Sequence, residues 1–417
     1  MINISDKKNC CGCGACSQVC PVECIDMNLD SEGFMYPIVD PHKCIGCGVC
    51  ERVCPFLNKN PSLSVKPKSY ACKVNNERIR LISSSGGLFS VLAEQIIDEG
   101  GVVFGAKFRE DWSVVHGFAD KKSDICMFMG SKYVQSDISD NFKIAKEFLE
   151  QGRVVLFSGT PCQISGFTHF LGRKFENLIT VDFACHSIPS PKVWKLYLSK
   201  ILRDYEDKYR VKARIEDVSF RNKSDGWNNY GLRVLVKDEK SGSVLTSDGP
   251  RHDGEHILIC ESNSSNLFFK GFISGLYVRP CCCQCPARGY TSGSDITMAD
   301  CWGFNKYHPN LNDNKGMSLA LINTEKGNKF FAKVYSQMFV LNIPFSEVEE
   351  DGLHCTLLTS LPHHKLRKIF FSHLNDNNVI GLITSCLMPE ELLSSFKDMI
   401  KNTFFFRVYL RAKSIFR

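Results

Sequence analysis

The chain has 417 residues, a formal net charge of +6, 43% hydrophobic and 23% charged residues, and 22 cysteines. That balance excludes a disordered chain, and the small positive excess is not gathered into a nucleic-acid patch. No apolar run reaches the roughly 18 residues of a transmembrane helix.

The opening residues, MINISDKKNCC, hold no apolar stretch, so no export signal is expected and a reducing cytoplasm is. Cysteines in such number are then expected to be metal ligands or redox groups rather than disulfide partners. Ten of them lie between Cys10 and Cys54, and eight of these form two copies of C-x2-C-x2-C-x3-C-P. The x2 spacings curl the backbone so that three thiolates face one cubane, and the fourth cysteine reaches the other cluster. The expected ligand sets are Cys10, Cys13, Cys16 and Cys54 for one 4Fe-4S cluster, and Cys44, Cys47, Cys50 and Cys20 for the second. Zinc sites use separated C-x2-C pairs without a C-x3-C-P ending. Cys11 and Cys24 are surplus and read as small buried residues. Residues 1–57 thus read as a small two-cluster domain of the bacterial ferredoxin type. Residues 58–68, rich in Pro, Ser, Asn and Lys, read as a linker.

From residue 69 to about 340, helical and strand patterns alternate. Gly86–Glu99, Phe142–Leu149, Ile164–Leu171 and Lys192–Leu202 have helical spacing. Val102–Phe108, Val114–Phe118, Val154–Phe157, Leu178–Phe183 and Ile296–Ala299 read as strands, and residues 214–260 are strand-rich. This alternation predicts an α/β domain (α+β for the whole chain) with a parallel or mixed sheet. Residues 341–417 are expected to be mostly helical. The tail 391–417 interleaves aromatics with Lys and Arg. That pattern suits a helix packed on the large domain, with peripheral membrane contact as the alternative.

Cys162 and Cys185 each follow a predicted strand end, where ligand sites gather in an open α/β sheet. With the pair Cys282 and Cys285 they are candidates for a third 4Fe-4S cluster. Ser85, Gly86 and Gly87 open a predicted helix, with Ser85 as candidate N-cap and the glycine amides facing an anion. Lys132 and Tyr133 are candidates for the same anion site. Asp300 follows a predicted strand. His186 is the one candidate proton donor.

The phrases SSSGGLFSVLAEQIIDEGG, GSKYVQS, SGTPCQISGF, DFACHSIPSPKVWKLYL and RPCCCQCPARGYTSGSDITMADCWGF together resemble the beta subunits of coenzyme F420 hydrogenase and dehydrogenase. The resemblance implies that residues 69–340 bind FAD beside a 4Fe-4S cluster. It carries Ser85, Gly86, Gly87, Lys132, Tyr133 and Asp300 over as flavin-site residues. It also carries Cys162, Cys185, Cys282 and Cys285 over as ligands. The aromatics that relatives carry where Cys283 and Cys301 stand here leave that ligand choice open. The implied activity is an iron–sulfur flavoprotein oxidoreductase. It would pass electrons from a ferredoxin-like donor to a small-molecule acceptor, coenzyme F420 or a metabolite, with polysaccharide synthesis as one context. The alternative is an electron-relay subunit of a hydrogenase or dehydrogenase complex, with no substrate of its own. Its partner protein would be that dehydrogenase, or a glycan-synthesis enzyme in the first reading.

Overall fold

The computed structural model describes residues 1–61, 66–238, 255–350 and 360–388. Part of the expected linker (62–65), Cys355 and the C-terminal tail lie outside the described residues. The chain divides into two compact units. One comprises Met1–Ile188, Arg221–Tyr230 and Arg279–Leu361; the other comprises Pro189–Phe220, Gly231–Val278 and Pro362–Arg417.

The strands are β1 (Ile25–Leu29), β2 (Met35–Val39), β3 (Lys68–Val74), β4 (Val102–Phe108), β5 (Val114–Ala119), β6 (Val155–Gly159) and β7 (Leu178–Phe183). They continue with β8 (Ala213–Asn222), β9 (Gly231–Asp238), β10 (Glu255–Ser262), β11 (Ile296–Asp300), β12 (Ser318–Ile322) and β13 (Met338–Asn342). The helices that matter for the site are α1 (Ala15–Gln18), α2 (Val49–Arg52), α3 (Glu77–Ile82), α4 (Leu88–Asp98), α5 (Asn141–Glu150) and α6 (Pro161–Leu171). α7 (Pro191–Tyr209) and α8 (Leu267–Ile273) belong to the second unit.

The first unit is built on an eight-stranded sheet of order β13-β3-β12-β11-β7-β6-β4-β5. Its centre is parallel, pairing β4 with β6, β6 with β7 and β7 with β11, while the pairs β4–β5, β11–β12, β12–β3 and β3–β13 are antiparallel. The mixed sheet agrees with the alternating pattern. β6 and β12 are buried at every residue, as central strands covered on both faces must be. Successive side chains point to opposite faces. Val102, Phe104, Val155 and Phe157 meet Phe142, Ala145 and Phe167 of α5 and α6. Val103 and Leu156 meet Leu88, Val91, Leu92 and Ile96 of α4 on the other face. Phe157 and Phe167 stack at 4.3 Å, a ring pairing worth about 0.5–1.5 kcal/mol beyond its buried area.

β13, Met338–Asn342, straddles the boundary expected at residue 340 and adds an edge strand beside β3. One expectation changes. Ser85 is not the cap of α4. Gly87, in left-handed backbone, occupies the N-cap position, and the Ser85 hydroxyl donates instead to the Met317 carbonyl at 2.8 Å.

His116 on β5 is buried, stacked on Phe157 at 5.7 Å, and its Nε2–H donates to the Ser158 carbonyl at 3.0 Å. Nδ1 has no partner, so a second proton there would leave a charge unpaired. Burial accordingly pushes the imidazole down to about 4. As pH falls below about 6.5 the unfolded ring takes up a proton that the folded ring refuses, so this contribution to stability is lost between about 6.5 and 4. Moving from pH 7.5 to 5 should cost about 2 kcal/mol through this residue. Urea titrations at the two pH values should show His116→Gln losing that part of the pH dependence.

The second unit has a three-stranded sheet of order β10-β9-β8, with β9 and β10 antiparallel. Its core gathers Trp194 and Tyr197 of α7, Phe220, Phe268 of α8 and Tyr277. No helix among the described residues is long and apolar enough to cross a membrane.

Candidate metal centre

Each C-x2-C-x2-C run ends in a one-turn helix, α1 after the first and α2 after the second, so three thiols of a run share one concave side. One cavity is lined by Cys10, Cys13, Cys16 and Cys54. A second is lined by Cys44, Cys47, Cys50 and Cys20, with the surplus Cys24 beside it. The fourth cysteine of each run therefore sits with the other run. The two helices and the hairpin β1–β2 bring the halves together, with Ile25 pairing Val39 at the hairpin's end. Cys20 and Cys24 sulfurs approach to 3.5 Å. Each cavity is lined by four thiols of the two runs, the donor set that a four-iron cubane takes.

The two cavities differ in exposure. Cys47 is exposed and Ile45 beside it is 64% exposed, whereas Cys13, Cys16 and Cys54 are buried. We refer to them as the outer and inner cavities.

The inner cavity is seated against the main sheet's helices. Phe142 N and Lys143 N of α5 donate to Gln18 Oε1 at 3.0 and 3.3 Å. A Cβ on Gly166 of α6 would stand 2.7 Å from the Cys13 sulfur, so only glycine admits this approach. Cys11 lies next to both Cys13 and Cys162.

Cys162, Cys185, Cys282 and Cys285 gather beyond that contact, near enough to act electrostatically on one another. Cys162 is carried by α6, whose capping box joins Thr160 and Gln163. Cys185 follows β7. Both positions lie at the carboxyl ends of parallel strands. Burial pushes Cys185 up, and Cys285 up to about 12; for Cys162 the neighbouring Cys11 thiol acts first and burial second. Thiolates in so apolar a place would need a counter-charge, of the kind that bound iron would supply. Cys281 and Cys11 join this group, whereas Cys301 packs elsewhere, beside Cys72. His186 is half-buried, pushed down by burial and then by Arg288, with Nδ1 at 3.1 Å from Ser187 Oγ.

Two of the residues expected at a flavin, Tyr133 and Asp300, meet through Arg221, which the sequence did not mark. Arg221 donates to both Asp300 oxygens at 2.8 Å, to the Tyr133 hydroxyl at 3.3 Å and to the Ser84 carbonyl at 3.2 Å. Trp227 Nε1 donates to Asp300 Oδ1 at 3.0 Å, and its ring stacks on Trp302 at 4.5 Å. Burial pushes the Tyr133 phenol up. The Gly86 amide donates to Ser318 Oγ at 2.9 Å and so is already engaged. Burial lowers Lys132 to about 7; its Nζ donates to the Met129 and Gly130 carbonyls. Lys223 is likewise lowered to about 7, by burial first and then by Arg221, and donates to the carbonyls of Arg80, Ser85 and Lys315. Arg221 sits in β8 and Lys223 just after it, where the alternating pattern gives no hint of a charge turned inward.

Residues 9–58 match the 4Fe-4S dicluster domain family. Residues 152–344 match the family described as the C-terminal part of the coenzyme F420 hydrogenase/dehydrogenase beta subunit. No curated protein matches. Among solved structures, a chain of the F420-reducing [NiFe] hydrogenase complex from Methanosarcina barkeri is 16% identical, with 82% of this chain and 96% of that one covered at a TM-score of 0.41.

Proposed function

We propose that the chain, similar over residues 152–344 to the C-terminal part of coenzyme F420 hydrogenase/dehydrogenase beta subunits and over residues 9–58 to 4Fe-4S dicluster domains, relays electrons within a larger oxidoreductase complex and has no substrate of its own. The observation that carries this reading is Cys11, which touches Cys13 of the inner cavity on one side and Cys162 of the third cysteine group on the other. Clusters at the outer cavity, the inner cavity and the third group would form a chain. Cys10, Cys13, Cys16 and Cys54 would hold the inner cluster, Cys20, Cys44, Cys47 and Cys50 the outer, and Cys162, Cys185, Cys282 and Cys285 the third. Bound iron–sulfur cubanes supply one-electron acceptors. The protein's part is to space them, exclude water from the inner two and orient their ligands.

Anaerobic purification under native conditions should yield about twelve irons per chain. It should also yield a stoichiometric partner protein that carries the catalytic centre. A chain that alone turns over an organic acceptor at enzymatic rates contradicts the relay.

A flavin reading is supported by one feature, the half-buried ammonium groups of Lys132 and Lys223. Lys132 donates to the Met129 and Gly130 carbonyls, and Lys223 to those of Arg80, Ser85 and Lys315. An anionic group would engage them. Acid extraction of the native protein and flavin fluorescence decide between a relay with flavin and one without.

A further inference from the structure

Arg279 is the most completely buried cation of the first unit, at 0% exposure. Among the described residues no carboxylate pairs with it. Its Nε donates to the Cys10 carbonyl at 2.9 Å, Nη1 to Gln135 Oε1 at 2.8 Å and Nη2 to the Met35 carbonyl at 2.8 Å. Nη2 also points to the Cys10 sulfur at 3.7 Å. The guanidinium lies over the Tyr36 ring at 4.4 Å and near Phe34 at 5.4 Å. Gln135 in turn donates to the Cys11 carbonyl at 3.2 Å. Room for this group comes from Gly12, in left-handed backbone at φ +67, where a Cβ would stand 2.8 Å from the guanidinium carbon. The glycine that lets the motif curl thus also admits the arginine.

A buried cation persists only with a counter-charge. Its hydrogen-bond partners are uncharged apart from the Cys10 sulfur; burial aside, Cys10 of the inner cavity acts on it most strongly, with Cys281 of the third cysteine group next, and a cluster held at Cys10 would supply the anion. A cluster held by four thiolates is net negative, and more so when reduced. A guanidinium at a ligand sulfur therefore stabilises the reduced form and raises the reduction potential. The outer cavity's cations are exposed instead: the Met1 ammonium lines it and pairs with Glu51 at 2.9 Å, Arg52 reaches the Cys47 carbonyl at 3.2 Å, and solvent screens both.

We propose that Arg279 is the counter-ion of the inner cluster and sets its potential above that of the outer cluster, so that electrons run inward. This rests on the relay reading. The step is a single electron passing from the reduced outer cluster to the oxidised inner one, with no bond or proton changed. Arg279 is a positioning residue, acting through the Cys10 sulfur.

The test uses full-length, anaerobically purified protein, with potentiometric titrations followed by EPR on wild type, Arg279→Gln and Arg279→Lys. In Arg279→Gln the inner cluster's reduction equilibrium should fall at least tenfold, about 59 mV for a one-electron couple, while the outer cluster is unmoved. Arg279→Lys keeps the charge but loses the fork and should shift less, in the same direction. Selective loss of the inner cluster's iron from Arg279→Gln, with the outer one retained, also supports the counter-ion role. Full iron content with both potentials unmoved overturns it. A wild-type protein without reducible clusters overturns the relay reading itself, which the iron count separates from the first result.

Discussion

Replacing Cys20 by alanine removes the cluster of Cys44, Cys47 and Cys50 and spares the cluster of Cys10, Cys13 and Cys16. Cys54→Ala does the reverse. Each substitution leaves a three-thiol set, and the expected loss is about four irons from one cavity with the other EPR signal retained. The structural reason is the lining of the cavities. Cys20 stands with the second run and Cys54 with the first, although each is four residues from the preceding cysteine of its own run. Double substitutions make the assignment unambiguous. Cys20→Ala with Cys44→Ala should lose no more iron than Cys20→Ala alone, because both residues serve one cluster. Cys20→Ala with Cys10→Ala should lose both clusters. Equal iron loss in those two doubles would contradict the exchange of fourth ligands.

Asp300→Asn destabilises the first unit by about 3–5 kcal/mol, the cost of stranding a buried charge. Arg221 has 4% of its side chain exposed, and burial alone works against its charge. The Asp300 carboxylate outweighs burial, taking two 2.8 Å bonds from the guanidinium and one 3.0 Å bond from Trp227. The guanidinium also lies 3.7 Å from the Tyr230 ring centre, a position that favours a cation. Asparagine keeps the shape but gives up the charge, so Arg221 stays buried without its anion. Urea unfolding of the anaerobic protein should show the loss directly. In a double-mutant cycle, Asp300→Asn with Arg221→Met should cost less than the two single changes summed. A loss below about 1 kcal/mol for Asp300→Asn would show that solvent already reaches the pair.

The same pair shows why part of the site escapes the sequence. Asp300 is legible because it ends a strand pattern in a recognisable phrase. Arg221, Lys223, Trp227 and Tyr230 are not, since their roles come from groups far along the chain: Arg221 is 79 residues from Asp300, and Lys223 is 138 from Ser85. The glycine turn, taken by itself, offers amides free to hold an anion. In the folded chain the Gly86 amide is spent on Ser318, 232 residues away, and Gly87 takes the cap expected of Ser85. The five residues of β13 are too short for periodicity to tell strand from helix, and pairing with β3 settles the matter.

The parts determined by sequence alone are those with local causes. Strands β4, β5, β6 and β7 follow from short β-branched runs, and the helices between them from apolar spacing. The paired cysteine runs follow from spacings that allow three thiols to meet within seven residues, so their chemistry is written over a short stretch of chain. Tertiary structure decided what stands next to those thiols. It set Cys11 between Cys13 and Cys162, drew Cys281 and Cys11 into the third group, and brought Arg279 across 269 residues to the Cys10 carbonyl. The physical reason is that ligand identity depends on covalent spacing, whereas the charge, burial and hydrogen bonding that tune a centre depend on chain segments that meet only when the sheet and its helices close around it.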